Sequence, residues 1–134
     1  MRSERGQAIV EFALILPTLL VVTLTVVLVA QLGVARLALQ RATAEAARAG
    51  ALTNDDEQIR GTLAATVAPL AADRVTSAIA PSRDEAPRSG DPRGSLLTVT
   101  ASYTVPMPLG IIGLPQLVVT ASATRRIEWT HDQD

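Results

Sequence analysis

The sequence contains no cysteine and no lysine, and all twelve of its basic residues are arginine. The absence of cysteine excludes a disulfide scaffold, a thiol nucleophile and a thiolate metal site. Histidine occurs once, at His131 in a polar C-terminal stretch, and aromatic residues make up only 2% of the 134 residues. These shortages leave few groups for acid–base, nucleophilic or metal chemistry. We therefore expect no enzymatic activity, no cofactor and no metal site.

A strong charge of either sign is also missing, because the formal net charge is −1 at pH 7. A near-neutral chain lacks the basic field that attracts proteins to nucleic acid or to an anionic membrane surface. We therefore expect no nucleic-acid partner. The length is that of one small domain.

Residues 12–35 form an uninterrupted run without a charged side chain. About twenty helical residues are enough to cross a hydrocarbon core of about 30 Å, so the run predicts one transmembrane helix. Glu11 stands directly before this run. A carboxylate inside a membrane costs about 2.5–3.5 kcal/mol at the bilayer centre, which favours a functional role and a specific partner for Glu11.

Pro17 interrupts the apolar run. It cannot donate a hydrogen bond to the carbonyl of Ala13, so we expect a helix kink there. Thr18, Thr23 and Thr25 can bond to helix carbonyls and make such a defect tolerable in lipid. A kinked helix suits transfer from a bilayer into a filament core, but ordinary membrane anchors also contain proline. Both interpretations of Pro17 stay open.

Two segments carry a resemblance to a known family. A short basic leader that ends in glycine, followed by four residues, a glutamate and an aromatic residue, is the pattern of type IV prepilins. Residues 6–17, GQAIVEFALILP, resemble the start of TadE-like proteins, which are pseudopilins or minor pilins of tight-adherence (Flp) pilus systems. Residues 42–50, ATAEAARAG, are similar to the small-residue block that closes the N-terminal domain of that family.

This resemblance implies cleavage between Gly6 and Gln7 by a prepilin peptidase. The new α-amine of Gln7 would then lie about one helical turn before Glu11 and would be its partner during assembly. Glu11 and Phe12 would be the assembly residues. The implied partners are membrane lipid, the peptidase, other pilin or pseudopilin subunits and the pilus assembly platform.

The resemblance also implies a location in the bacterial inner or cell membrane. The N-terminus would be cytoplasmic and the C-terminal domain extracytoplasmic, with possible incorporation into a pilus. Charge alone leaves the orientation open, because Arg36, Arg41 and Arg48 follow the apolar run.

Beyond the apolar run the helix is expected to continue outside the membrane with one polar side. Gly50 is predicted to end it in the left-handed conformation. Asn54 is predicted to cap a second helix, with Glu57 completing a capping box. The apolar stripe of this second helix is predicted to comprise Ile59, Leu63, Ala64 and Val67.

Alternating apolar and polar residues predict strands over residues 96–105 and 116–129, with a weaker strand over 75–80. Residues 109–114 are predicted to form an apolar loop between prolines. The expected fold is α+β and pilin-like: a long N-terminal transmembrane helix that continues outside the membrane, a second helix and a small antiparallel sheet. The predicted divisions are a cleaved leader (1–6), the TadE-like transmembrane and extended helix (7–52) and a small α+β ectodomain (53–134).

Two functions remain open at this point. The first is a minor pilin, pseudopilin or assembly component of a Tad-type pilus or related secretion system. The second is a single-pass, membrane-anchored envelope accessory or binding protein that does not enter a filament. Cleavage after Gly6 separates the two, since an ordinary anchor keeps its leader.

Overall fold

The computed structural model describes residues 2–106 and 116–130. The predicted loop at 109–114 and His131 lie outside the described residues. Two helices, α1 and α2, precede a short 3-10 turn and three strands, which confirms the predicted α+β fold. In chain order the elements are α1 (Arg2–Thr53), α2 (Asp56–Thr66), the turn Ala72–Arg74, β1 (Val75–Ala80), β2 (Leu96–Thr104) and β3 (Val118–Arg126).

The chain divides into two compact units, Met1–Gly33 and Val34–Asp134. The first unit consists of the N-terminal part of α1, in which no residue from 4 to 33 is buried. One helix of the described chain, over Glu4–Thr53, is long and apolar enough to cross a membrane, and its most apolar window has a mean hydropathy of 2.7. Most of its large apolar side chains are exposed within the described residues.

Helix α1 continues through Pro17. Three threonine hydroxyls in this part of the helix each donate a hydrogen bond to the carbonyl four residues earlier, as predicted. The donor and acceptor residues are Thr18 and Leu14 (3.1 Å), Thr23 and Leu19 (2.8 Å), and Thr25 and Val21 (2.7 Å). These bonds leave no hydroxyl hydrogen unsatisfied on an apolar surface.

The second unit uses the other part of α1 as one wall of its core. Here the buried positions recur every three or four residues, which is the spacing of one helix face. Nearly all of them are small, so a facing layer can approach the helix backbone closely. They are Ala35, Ala38, Leu39, Ala42, Thr43, Ala46, Ala47, Gly50 and Ala51.

The other wall is a three-stranded antiparallel sheet in the order β1-β2-β3. The central strand β2 places Val99 opposite Ile79 of β1 and Ala123 of β3. Alternate residues of β2 are buried, and hydroxyl residues occupy the positions between them, which confirms the predicted alternation. The predicted strand over 116–129 is shorter at both ends, because β3 covers only Val118–Arg126. The buried residues are Leu97, Val99, Ala101 and Tyr103.

The predicted helix end at Gly50 is wrong, because α1 runs on to Thr53. The residue in the left-handed conformation is Asn54, with φ of 51°. Its backbone N–H donates to the Gly50 carbonyl at 2.9 Å. Asparagine tolerates this conformation better than most residues, so it can end a helix in place of glycine.

The predicted cap of α2 is also wrong by one residue. Asp55 is the N-cap, and its carboxylate accepts a hydrogen bond from the Glu57 N–H at 3.0 Å. Asn54 is unavailable for this role because its backbone ends α1 and its side chain is buried elsewhere. In the predicted stripe of α2, Ile59, Leu63 and Val67 are buried, whereas Ala64 is exposed.

Gly50 has a packing role. A Cβ atom at this position would lie 2.5 Å from Ile59 Cδ1 and 2.6 Å from Leu97 Cδ2. Both of those side chains are fully buried, so neither has open space to move into. Helix α1 therefore approaches α2 and β2 at a distance that only glycine permits.

We predict that Gly50→Ala lowers the free energy of unfolding by about 1–3 kcal/mol, the usual effect of overpacking a core. Gly61→Ala is the matched control, because Gly61 is also helical but has no atom within 4 Å of its Cβ position. That change should raise stability by up to about 1 kcal/mol through helix propensity. Urea unfolding of the full chain in neutral detergent, followed by fluorescence of the single tryptophan Trp129, measures both. Two changes of the same sign would contradict the close approach at Gly50.

Candidate functional site

The predicted processing and assembly residues all lie in helix α1. Gln7 and Glu11 are four residues apart on this helix, so they are neighbours on one helix face. Both are exposed, and the Phe12 side chain is 65% exposed. Because both residues are exposed, another molecule can reach the Glu11 carboxylate and the Gln7 backbone.

Gly6 has no packing role among the described residues, since none of their atoms lies within 4 Å of a Cβ atom built on it. Glycine inside a helix costs about 1 kcal/mol relative to alanine. The fold therefore does not require glycine at this position. A requirement for glycine would have to come from another molecule.

The Glu11 carboxylate has no hydrogen bond or ion pair within the described residues. Its neighbours on the chain are exposed apolar side chains, including Val10 and Phe12. A carboxylate surrounded by apolar surface loses hydration whenever that surface is covered. A partner that covers this part of α1 would lower that cost by placing a hydrogen-bond donor or a cation beside Glu11.

A second polar cluster, which the sequence did not indicate, lies in the second unit. Arg88 is fully buried, and its Nε donates to Asn54 Oδ1 at 2.9 Å. Its Nη1 donates to Asp56 Oδ1 at 2.5 Å and to the Pro81 carbonyl at 2.8 Å. In return, the Asn54 side-chain amide donates to the Arg88 carbonyl at 3.3 Å. This cluster ties the loop between β1 and β2 to the junction of the two helices.

The acidic run at residues 55–57 is accounted for by these contacts. Asp55 caps α2, and Asp56 binds Arg88 and also accepts the Arg83 backbone N–H at 3.0 Å. Asp56 and Glu57 lie in the first turn of α2, where negative charge is favourable. Its role is structural in the described part of the chain.

Residues 6–48 match the family model of TadE-like proteins. This match confirms the resemblance carried by the two sequence segments. The family implies a protein associated with a Tad pilus, and the apolar helix together with the family indicates anchoring in a membrane. A search of curated proteins and a search of solved structures each found no match to this chain.

The TadE-like segment begins at Gly6 and ends at Arg48. It includes the exposed apolar residues of the first unit and also the small buried residues of α1 from Ala35 to Ala47 in the second unit. The match stops before Gly50 and before the sheet. The TadE-like segment thus supplies one wall of the C-terminal core, while the other wall lies outside the match.

We predict that Arg88→Met lowers the free energy of unfolding by about 3–5 kcal/mol, because it leaves the Asp56 carboxylate and the Asn54 side chain without their buried partner. Arg83→Met is the matched control. Arg83 lies 3.8 Å from Asp55, and both side chains are about half exposed, so that change should cost less than about 1 kcal/mol. Urea midpoints of the two variants in the same detergent provide the comparison. Equal midpoints would show that the buried cluster contributes no more than a surface ion pair.

Proposed function

We propose that the chain is a minor pilin, a pseudopilin or another assembly component of a Tad (Flp) pilus or a related secretion system, and that it acts without enzymatic chemistry. The observation that carries this proposal is the TadE-like segment, which begins on a part of α1 where no residue from 4 to 33 is buried. Each large apolar side chain left in water costs about 1.5–3 kcal/mol relative to burial. Lipid before assembly, and neighbouring helices after it, would cover this surface.

In this proposal a prepilin peptidase removes residues 1–6 and leaves Gln7 as the first residue. The leader lies on the cytoplasmic side and the second unit outside the membrane. Two features support processing at this point. The family match begins at Gly6, and the fold itself gives no reason for glycine there.

Glu11 then acts as the assembly group. Inside lipid its carboxylate is poorly solvated, and an α-amine on Gln7 of the same chain or of the next subunit would offset part of that cost. Pairing between subunits would also fix the axial register, since a helix could dock only where its acid met a free amine. Phe12 would contribute apolar contact beside this pair.

A membrane-anchored accessory protein that never enters a filament is the second candidate. The apolar helix alone fits this function, because length and hydropathy are the same for an anchor and for a pilin helix. The two candidates differ in processing and in the need for Glu11. Each difference has its own experiment.

We predict that the mature chain begins at Gln7 when it is produced together with an active prepilin peptidase. Gly6→Ala should retain residues 1–6, because a site built around glycine excludes a larger side chain. Gly33→Ala is the matched control, as it replaces another helical glycine with open surroundings and should leave cleavage unchanged. Intact mass of the membrane-extracted proteins gives the result. An uncut wild-type chain would favour the anchor over the pilin.

We predict that Glu11→Gln is inserted and cut normally but fails to co-purify with the pilus partners. The change preserves size and removes the charge that the Gln7 amine would bind. Thr18→Val is the control, because it removes a polar group whose hydroxyl bonds only within α1. Recovery of mature protein with those partners, from the same membranes, is the measurement. If Glu11→Gln is recovered as well as wild type, the carboxylate has no part in assembly.

A further inference from the structure

The second unit contains a pocket whose lining includes three arginine residues. Arg48 comes from α1, and Arg125 and Arg126 are the last two residues of β3. The remaining lining residues are Ala51, Leu52 and Glu128. The pocket has a volume of about 560 Å³, which is large enough for several side chains of a partner.

The contact between α1 and the segment after β3 brings these arginines together. The Ala51 carbonyl accepts hydrogen bonds from the backbone N–H groups of Glu128, at 2.9 Å, and Trp129, at 3.1 Å. These bonds hold the end of β3 beside the last turns of the helix. The same contact therefore satisfies a helix carbonyl and brings the arginines of β3 to the pocket that Arg48 also lines.

The pocket has an excess of positive charge. None of the three arginines has an ion pair within the described residues, although Glu128 lines the same pocket. Among the described residues, three arginines and one glutamate line the pocket, an excess of two positive charges. One simpler explanation is that Arg125 and Arg126 block pairing of the edge strand with another chain. That explanation does not account for Arg48, which lies on the helix.

The pocket also has an apolar side. Leu52 is 51% exposed beside the arginines, and Ala51 forms part of the lining. A small inorganic anion would contact the guanidinium groups and leave Leu52 in water. A peptide with both carboxylate and aliphatic side chains would use both parts of the surface, and arginine binds carboxylates in a planar, two-pronged geometry.

A lipid headgroup fits this pocket less well on the proposed membrane placement. Arg36 is the first charge after the apolar run, and Arg48 lies twelve residues further along α1, or about 18 Å. The headgroup layer on one side of a bilayer is only about 5–8 Å thick. The pocket would then stand beyond the lipid surface, where proteins are the available partners.

We propose that this pocket binds an acidic segment of a partner protein through its carboxylates and one aliphatic side chain. The carboxylates contact Arg48, Arg125 and Arg126, and the aliphatic side chain covers Leu52. The site is separate from Glu11 and does not depend on processing after Gly6. Its failure would therefore leave the proposed pilus role unaffected.

The test uses the full chain with nitrogen-15 arginine in uncharged maltoside micelles, so that only arginine side chains give Nε–H signals. The probe is the peptide acetyl-Leu-Asp-Glu-Leu-Asp-amide. We expect it to shift the signals of Arg48, Arg125 and Arg126 and to leave the other arginines unchanged. Replacing its acids with Asn and Gln should abolish the shifts. Replacing its leucines with serine should weaken binding about tenfold, since burial of one leucine is worth about 1.5 kcal/mol or more.

Arg125→Gln combined with Arg126→Gln should abolish binding of the acidic peptide. Arg60→Gln combined with Arg74→Gln is the matched control, as it removes two exposed arginines that lie outside the pocket and should leave binding unchanged. Inorganic phosphate and nanodiscs containing phosphatidylglycerol are the competing probes. The proposal is overturned if phosphate alone reproduces the peptide shifts, if nanodiscs shift these arginines and the peptide does not, or if the peptide shifts all exposed arginines alike. Absence of any shift overturns it as well.

Discussion

The close approach between α1 and the layer that covers it is the constraint on which the second unit depends. Small side chains on one face of the helix let the sheet lie near its backbone, and at Gly50 even a methyl group has no room. Ile59 and Leu97 fill that point from α2 and β2. Since both are fully buried, the position of one element determines the position of the others. Helix, second helix and sheet therefore form one packed core.

In the first unit, the same helix has no buried face among residues 4–33. There every described side chain is at least partly exposed and most are large and apolar, whereas in the second unit the buried face is narrow and made of small residues. The TadE-like match includes both the exposed part of α1 in the first unit and the partly buried part in the second unit. A single secondary-structure element thus presents one surface that needs an apolar environment from outside and another that the chain covers itself.

Local patterns predicted the features that depend on local chemistry. The alternation in residues 96–105 predicted the buried face of β2. Each threonine hydroxyl of the apolar run donates a hydrogen bond to the carbonyl four residues earlier, as its position in a helix predicted. Features that depend on distant contacts were not predictable. Gly50 looks like a helix end in the sequence because glycine commonly is one, and only the positions of Ile59 and Leu97 reveal its packing role.

The junction between α1 and α2 also depends on a distant contact that the sequence could not predict. Asn54 and Asp55 both suit a helix cap by residue type, and the choice between them depends on Arg88, which is 34 residues away in a loop rich in proline and glycine. A lone arginine in such a loop carries no periodic signal. Asn54, Asp56 and the Pro81 carbonyl accept hydrogen bonds from its Nε and Nη1, which offsets part of the cost of burial. Its Nη2 is buried without a hydrogen-bond partner among the described residues. For the N-terminal segment, Gly6, Gln7 and Glu11 were found from the motif alone, because their proposed partners lie outside the chain.

The bonds at the Ala51 carbonyl have a mechanical consequence. Tension along α1 would reach β3 directly, because the backbone N–H groups of Glu128 and Trp129 hold the end of the helix to the segment that follows that strand. The load would then be shared by the ladder between β2 and β3, where nine residue pairs lie in register. The loop between β1 and β2 would also carry load, because Arg88 of that loop bonds to Asn54 at the end of α1. A pull on the helix would therefore strain the sheet and that loop together.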